Sequence, residues 1–343
     1  MSLLSPDQLP SCGIVVVALT ARERELFFGD RDLSGISDLR LLDDADLSPA
    51  AWPGLLAALQ PAVLITAWST PALPEAWLQR PDCRLRFVCH VTGSVRRLVP
   101  RSFLARGGTI SNWGSAVSEQ VAEHALLLAL GALRNAPRWA DFISSRGDRN
   151  RLEQLGTRTL FGRRVGIHGF GSVARALLPL LRPFGVTVAA YSAGVPVSLM
   201  HEAGVAPADS LAALFAGSEV VFECEALTPA TEASVTTEVL ARLPDDAVFV
   251  NVGRGPLVDE AALAREARSG RLRLGLDVVS VEPLTPASPF SGLPNVILSP
   301  HIAGPTGDRY RQCGANALAN LAAFLRGATP PAQISLASYD RAT

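Results

Sequence analysis

The chain contains no lysine; all 31 of its basic side chains are arginine. Every mechanism that needs a lysine amine is thereby excluded, including Schiff-base chemistry, pyridoxal phosphate anchoring and the phosphate-binding lysine of a P-loop. Cysteine is sparse: the five residues Cys12, Cys83, Cys89, Cys224 and Cys313 are scattered, odd in number and without a CxxC pair. That pattern argues against a disulfide framework and against a zinc or other metal site, and for a reducing cytosol. An excess of charge is also missing, since the formal net charge is -1, so neither nucleic acid nor an anionic membrane is expected as a partner. The pairs Arg96-Arg97 and Arg163-Arg164 are too short to change this and read as solvated charge. No apolar run reaches the roughly 20 residues that span a bilayer. No basic region followed by an apolar core and a cleavage site opens the chain. A cytoplasmic location is expected.

What is present is an ordinary globular make-up spread over 343 residues, a length that suits two domains better than one core. Gly13 to Leu19, Ala62 to Thr66, Arg86 to His90 and Gly108 to Asn112 read as strands, with a helix over Trp52 to Leu59 between two of them. Strands alternating with helices imply a parallel sheet. Val117 to Leu133 reads as a long helix, apolar on nearly all sides and expected to lie buried between domains or subunits. Asn135 to Phe161 is polar and Arg-rich and reads as a surface wrap. A second block begins at Arg164. Its strands are predicted at 164–168, 186–191, 219–223, 247–251, 272–277 and 296–299, and its helices at 173–184, 211–216, 237–243 and 260–269. Gly314 to Arg326 is again helical, and the tail after Pro330 is expected to be loose. The fold class is α/β, with doubly wound parallel sheets.

Gly169-Phe-Gly171-Ser-Val-Ala174 fits the G-x-G-x-x-G/A pattern. It follows the strand ending at His168 and precedes an apolar helix, the context the pattern needs. Gly169 allows the tight turn, Gly171 lets a diphosphate approach the backbone, and Ala174 keeps helix and sheet close. The bland alternative is a turn that only packs; the flanking strand and helix favour dinucleotide binding. A carboxylate is expected about 20 residues later, on the adenosine ribose. Ser192 stands at that strand end instead, Glu202 is badly placed to substitute, and no arginine follows until Arg242. Both NAD and NADP stay open as the cofactor.

Further along, three residues suit acid–base and anion chemistry. Arg254 lies between Gly253 and Gly255 beyond a strand, and its planar fork suits a carboxylate better than it suits a helix cap. His301 follows the last strand, at the carboxyl edge where α/β sheets bind ligands. Glu282, beyond the strand ending at Asp277, can accept a bond from His301, hold its tautomer and raise its pKa; alone it would read as a solvated loop acid. Asp277 is either a turn former at a strand end or a partner for a nicotinamide carboxamide, with the second slightly favoured. His90, His124, His168 and His201 read as structural, with His168 buried under the glycine turn. Cys224 reads as lining, since no basic group lies near it in sequence.

In this order the segments Val121-Ala-Glu-His124, the Gly169 turn, Leu227-Thr-Pro-Ala-Thr231, Asn251 to Asp259, Leu276 to Leu284 and Leu293 to Gly304 resemble the D-2-hydroxyacid dehydrogenase family. The family includes the D-lactate, glycerate, hydroxypyruvate/glyoxylate and 3-phosphoglycerate dehydrogenases. The resemblance is strong from about Asn112 to Gly304 and weak before it. It implies two Rossmann-like domains with a cleft between them: a substrate domain of residues 1–112 completed by 308–343, and a dinucleotide-binding domain of residues 113–307. It implies that Arg254 binds the substrate carboxylate, that His301 is the acid in reduction and the base in oxidation, and that Glu282 supports it. The backbone of Thr92-Gly93-Ser94 resembles a loop that holds the carboxylate. Cofactor contacts are implied for Ser172, Val173, Ser192, Cys224 and Thr228, besides Gly169 and Gly171. Val252, Gly253, Asp277, Ala303 and Gly304 are implied on the nicotinamide side. A homodimer built around the helix near Val117 is implied as well.

Two departures stand out: the family often has aspartate where Ser192 stands, and histidine where Cys224 stands. The expected reaction is NAD(P)-dependent interconversion of a small 2-keto acid and a D-2-hydroxy acid. The alternatives are a dinucleotide-sensing protein like the transcriptional corepressors that share this fold, which would keep the glycine turn without catalysis, and phosphite oxidation by the same anion clamp.

Overall fold

A computed structural model describes residues 13–31, 33, 35–145 and 149–341, so Cys12 lies outside the described residues. The chain divides into two compact units, residues 1–117 with 305–343, and residues 118–304.

In the first unit the strands β1 (Val15–Ala18), β2 (Leu39–Leu41), β3 (Val63–Thr66), β4 (Phe87–His90) and β5 (Thr109–Ser111) form one sheet in the order β2-β1-β3-β4-β5. All of its pairings are parallel. The central strands are buried at every position, as expected of a parallel sheet covered on both faces. Helix α1 (Ala21–Phe27) starts at a capping box in which Thr20 and Glu23 bond each other's backbone amides, a pattern legible as T-x-x-E. Helix α2 (Trp52–Leu59) occupies its predicted range, with Pro53 in its first turn; a proline there gives up only an amide that has no helical partner. Strand β2 was not foreseen: it has three residues, none of them buried, so it carries little hydrophobic signal. The short helices α3 (Glu75–Leu78) and α4 (Arg101–Ala105) complete this part.

The second unit opens with α5 (Ser118–Leu133) and α6 (Trp139–Ser144). Its sheet holds β6 (Arg164–His168), β7 (Thr187–Tyr191), β8 (Ala206–Pro207), β9 (Val220–Glu223), β10 (Val248–Asn251), β11 (Arg273–Leu276) and β12 (Val296–Leu298), in the order β12-β11-β10-β9-β6-β7-β8. The order reverses between β6 and β9, and ligands of such sheets bind at the carboxyl ends of the strands flanking that point. Helices α7 (Ser172–Leu181), α8 (Val197–Glu202), α9 (Leu211–Ala216), α10 (Thr237–Leu240) and α11 (Glu260–Arg268) intervene. Alternate residues of one strand serve two cores: Val248 and Val250 face the layer of α5 and α7, while Phe249 joins Leu263 and Leu274 on the other side. This is the two-residue period of a strand buried on both faces.

Two expectations need correction, the end of α7 and the C-terminal tail. The helix begun at Ser172 stops at Leu181 and tightens into a 3-10 turn over 182–184, because Pro183 has no amide to continue the ladder. Helix α5 packs on the sheet of its own unit: a side chain at Gly275 of β11 would lie 2.8 Å from the Cβ of Leu128. Its opposite face leaves Leu127 61% exposed. The C-terminal tail is not loose. After α12 (Tyr310–Leu325) it sends the Ile334 amide to the Ile110 carbonyl at 2.8 Å. It ends in α13 (Leu336–Arg341), whose buried Tyr339 donates to the Val99 carbonyl at 2.6 Å. Polar composition hid this packing, since it depends on only a few apolar side chains.

Candidate functional site

The glycine turn is shaped by its neighbours. Gly169 has φ +90°, its amide bonds the Tyr191 carbonyl at 2.8 Å, and a Cβ there would sit 2.5 Å from the Glu225 backbone nitrogen. Only glycine tolerates both the left-handed backbone and that approach. Gly171 is the N-cap of α7 and makes no side-chain cap bond, and a Cβ on it would meet open space. The first amides of α7, those of Ser172 and Val173 included, therefore have no side-chain cap, and the helix dipole favours an anion beside them. An uncapped helix start next to an open glycine fits a dinucleotide diphosphate.

The strand ends around this turn carry two acids that sequence reasoning missed, Glu223 and Glu225. Ser192, just beyond β7, is buried and donates its hydroxyl to Glu225 Oε2 at 2.7 Å. His168, the last residue of β6, lies 2.6 Å from Glu223 Oε2 through Nδ1, and both side chains are buried. Burial lowers the imidazole pKa, but the Glu223 carboxylate beside it, aided by Glu225, outweighs that and leaves it raised. The signal was visible as the pair of acids in Glu223-Cys-Glu225 at a strand end. Between them the Cys224 thiol is pushed up by burial, and further by Glu223 and Glu225, which disfavours the reactive thiolate. Thr228 closes the next turn, its amide bonding Thr231 Oγ1 at 2.7 Å. Val252 is buried; the Gly253 amide bonds Asn251 Oδ1 at 3.0 Å.

Three adjacent strands, β10, β11 and β12, supply the candidate acid–base residues from their carboxyl ends. Arg254 follows β10 in extended conformation, and its Nη1 donates to the Gly253 carbonyl at 2.6 Å. The next residue must be glycine, because a Cβ on Gly255 would strike the backbone of Val279 and Ser280. That packing seats the Arg254 loop against the Glu282 loop. Glu282 accepts the Val279 amide at 3.3 Å on Oε1, while its Oε2 lies 2.7 Å from His301 Nδ1. An imidazole so held keeps its proton on Nδ1 in the neutral form and leaves Nε2 for exchange. His301 has φ +55°, a left-handed conformation uncommon for a non-glycine residue and in need of support.

Asp277 gives that support. Its backbone carbonyl takes the His301 amide at 2.9 Å. Its buried carboxylate accepts the Ser299 hydroxyl at 2.7 Å, the Ile302 amide at 2.9 Å and the Ala303 amide at 3.0 Å. His124 of α5 stands behind, with Nε2 2.8 Å from Ser299 Oγ. Burial raises the Asp277 pKa, but His124, Ser299 and the two amides together hold it below the ordinary value. Asp277 thus holds the turn in which Ala303 and Gly304 follow, the first of the two readings open to it in sequence. His124 is a partner of this network rather than a bystander in an apolar helix.

In the first unit the loop after β4 is equally constrained. Thr92 is buried and its hydroxyl lies 2.6 Å from His90 Nε2. A Cβ on Gly93 would strike the Trp113 ring, and Asn112 Nδ2 donates to the Gly93 carbonyl at 2.7 Å. Ser94 is exposed.

Comparison with known proteins agrees on one family. The profile described as D-isomer specific 2-hydroxyacid dehydrogenase, NAD binding domain, matches residues 126–303. A glyoxylate/hydroxypyruvate reductase of Arabidopsis thaliana is 35% identical over 229 residues, 64% of this chain and 67% of that one. A D-3-phosphoglycerate dehydrogenase of Mycobacterium tuberculosis is 32% identical over 68% of this chain, which spans 43% of that protein's length. Among solved structures, an NADPH-dependent glyoxylate/hydroxypyruvate reductase from Sinorhizobium meliloti superposes with a TM-score of 0.74 at 23% identity, covering 94% of this chain and 98% of that one; it shares the fold.

Proposed function

This chain belongs to the D-isomer specific 2-hydroxyacid dehydrogenase family, and from that premise we propose the chemistry that its own residues perform. An NAD(P)-dependent oxidoreductase of this class acts on the CH–OH group of a 2-hydroxy acid. The reaction proposed here is reduction of a small 2-keto acid to the D-2-hydroxy acid, and its reverse. The nicotinamide cofactor, when bound, gives or takes the hydride.

The observation that carries this reading is the 2.7 Å bond from His301 Nδ1 to Glu282 on a turn clamped by Asp277. Glu282 orients the imidazole through Nδ1, so that His301 Nε2 delivers a proton to the carbonyl oxygen during reduction and withdraws it from the hydroxyl during oxidation. Arg254 grips the substrate carboxylate and polarises the adjacent carbonyl. Asp277 holds the His301 backbone, and its part toward a carboxamide belongs to this proposal too. The shaped loop Thr92–Ser94 is the first unit's candidate for holding a carboxylate. General acid help of this kind contributes about 10²–10⁴-fold, and orientation adds to it.

The test is loss of reduced-nicotinamide absorbance with a panel of 2-keto acids, run beside phosphite with oxidised cofactor. His301→Ala is expected to lose at least about 10²-fold in turnover while still binding dinucleotide. Undiminished turnover in that variant would remove the proton-transfer role. Turnover of phosphite alone would move the reaction to the anion-clamp alternative, and dinucleotide binding without turnover of any substrate would favour a sensor.

A homodimer is proposed from the family resemblance, with the exposed Leu127 of α5 as a candidate contact. Sedimentation at micromolar concentration checks it. A cytoplasmic location is proposed on Cys83, Cys89, Cys224 and Cys313, the free cysteines among the described residues. No helix among those residues is long and apolar enough to cross a membrane.

A further inference from the structure

Ser192 leaves the adenosine side of the cofactor turn without the acid that a dinucleotide fold places there, and the tertiary structure brings one in from another strand. We propose that Glu225, reached from the end of β9, takes the place of that acid and selects a dinucleotide with a free ribose 2′-hydroxyl, NAD, over one with a 2′-phosphate, NADP. The inference rests on the reading that the Gly169–Ala174 turn holds the dinucleotide.

Four observations carry it. First, Ser192 ends the strand after the glycine turn, where the ribose acid of this fold belongs, and its hydroxyl is spent on Glu225 Oε2 at 2.7 Å. The serine therefore aims a neighbour's carboxylate at the position where its own would be. Second, Glu225 Oε1 takes the Ala226 amide at 2.9 Å, so both carboxylate oxygens are oriented before any ligand arrives. Third, the Glu225 backbone packs directly on the turn, since a Cβ on Gly169 would lie 2.5 Å from its nitrogen and one on Gly253 3.0 Å from its carbonyl oxygen. Fourth, Glu223 stands behind it, with Oε1 on the Glu225 amide at 2.9 Å and Oε2 on His168. His168 can balance one of these two carboxylates and not both. The segment from Ser192 to Ala241 contains no arginine, and the chain contains no lysine, so this stretch offers no fixed cation to a phosphate.

The physical consequence is a choice between two ligands. A ribose hydroxyl donates to an ionised carboxylate in a charge-assisted bond. A 2′-phosphate carries only acceptors and negative charge, and is repelled by the same group.

The test is equilibrium binding of NAD⁺, NADP⁺, 5′-AMP and adenosine 2′,5′-bisphosphate to the full chain, followed by titration calorimetry. Wild type is expected to bind NAD⁺ at least about tenfold more tightly than NADP⁺, with the same order for the two fragments, and with a gap that narrows as salt rises. Glu225→Gln, which keeps the size of the side chain, is expected to close that gap by about tenfold, chiefly by tightening NADP⁺. Ser192→Ala, which removes only the tether, is expected to close it by less. Equal affinities in wild type, a preference for NADP⁺, or a gap unchanged in folded Glu225→Gln and Ser192→Ala overturns the inference and leaves the dinucleotide reading intact. Wild type that binds none of the four overturns the dinucleotide reading itself, and this inference with it.

Discussion

Both units end a parallel strand in a buried histidine, and the two histidines are driven in opposite directions. His90 closes β4 between two hydroxyls, with Thr66 Oγ1 2.9 Å from Nδ1 and Thr92 Oγ1 2.6 Å from Nε2. Burial pushes its pKa down to about 4, against a small raising effect from the Ser94 backbone, and it stays neutral. His168 closes β6 against Glu223 and is raised. Position in the fold is the same; the neighbouring group decides the charge. The second unit repeats the histidine–carboxylate pairing at Glu282–His301 and, through Ser299, at Asp277–His124. The first unit uses hydroxyls for the equivalent strand end, which suits a loop that must keep its shape and need not exchange protons.

The sharpest way to break this comparison is to remove one partner of the charged pair. Glu223→Ala leaves a buried imidazole without its carboxylate and is expected to cost about 3–5 kcal/mol, read by urea unfolding. The double variant His168→Leu with Glu223→Leu should recover most of that loss, and a single variant as stable as wild type would show that the pair is not coupled.

Next comes pH. His90 has a lowered folded pKa, so its contribution is fully present above the unfolded value near 6.5 and is lost as pH falls toward about 4. The slope is at most about 1.4 kcal/mol per pH unit. His168 has the opposite sign: its contribution is complete below the unfolded value and is lost as pH rises through its folded one. His90→Gln should flatten the acid limb of stability against pH and leave the limb due to His168 unchanged; an unaltered acid limb would assign that slope elsewhere.

Asp277→Asn should act mainly through the turn it clamps. Replacing the carboxylate with a carboxamide costs about 1–3 kcal/mol of stability, and turnover should fall with His301 while the KM for the keto acid moves little. A loss confined to KM would assign Asp277 to substrate binding. The smallest effect is expected for Tyr339→Phe. Its loss of a neutral bond to the Val99 carbonyl is worth about 1 kcal/mol and sets the neutral scale against which the charged pair is measured.

Much of the α/β architecture was legible because parallel strands buried on both faces are runs of Val, Ile and Phe, as in Val220–Glu223 and Val248–Asn251. The glycine turn was legible because its steric demands leave no other residue at Gly169. Strand β8, two residues long, and the docked tail at Ile334 and Tyr339 were not, since neither has a period to detect. The three donors on Asp277 were not legible, because a carboxylate at a strand end looks alike in sequence whether it faces a ligand or backbone and hydroxyl groups.

Local order along the chain was enough to determine that this protein alternates strand and helix, lacks lysine chemistry, and carries Arg254, Glu282 and His301 after successive strands. Only the tertiary structure decided which carboxylate serves which group. It brought Glu225 to Ser192, Glu223 to His168 and Asp277 to the His301 turn, across 33, 55 and 25 residues of chain. The physical reason is that a parallel sheet places side by side strand ends that are distant in sequence, and electrostatic effects depend on separation in space.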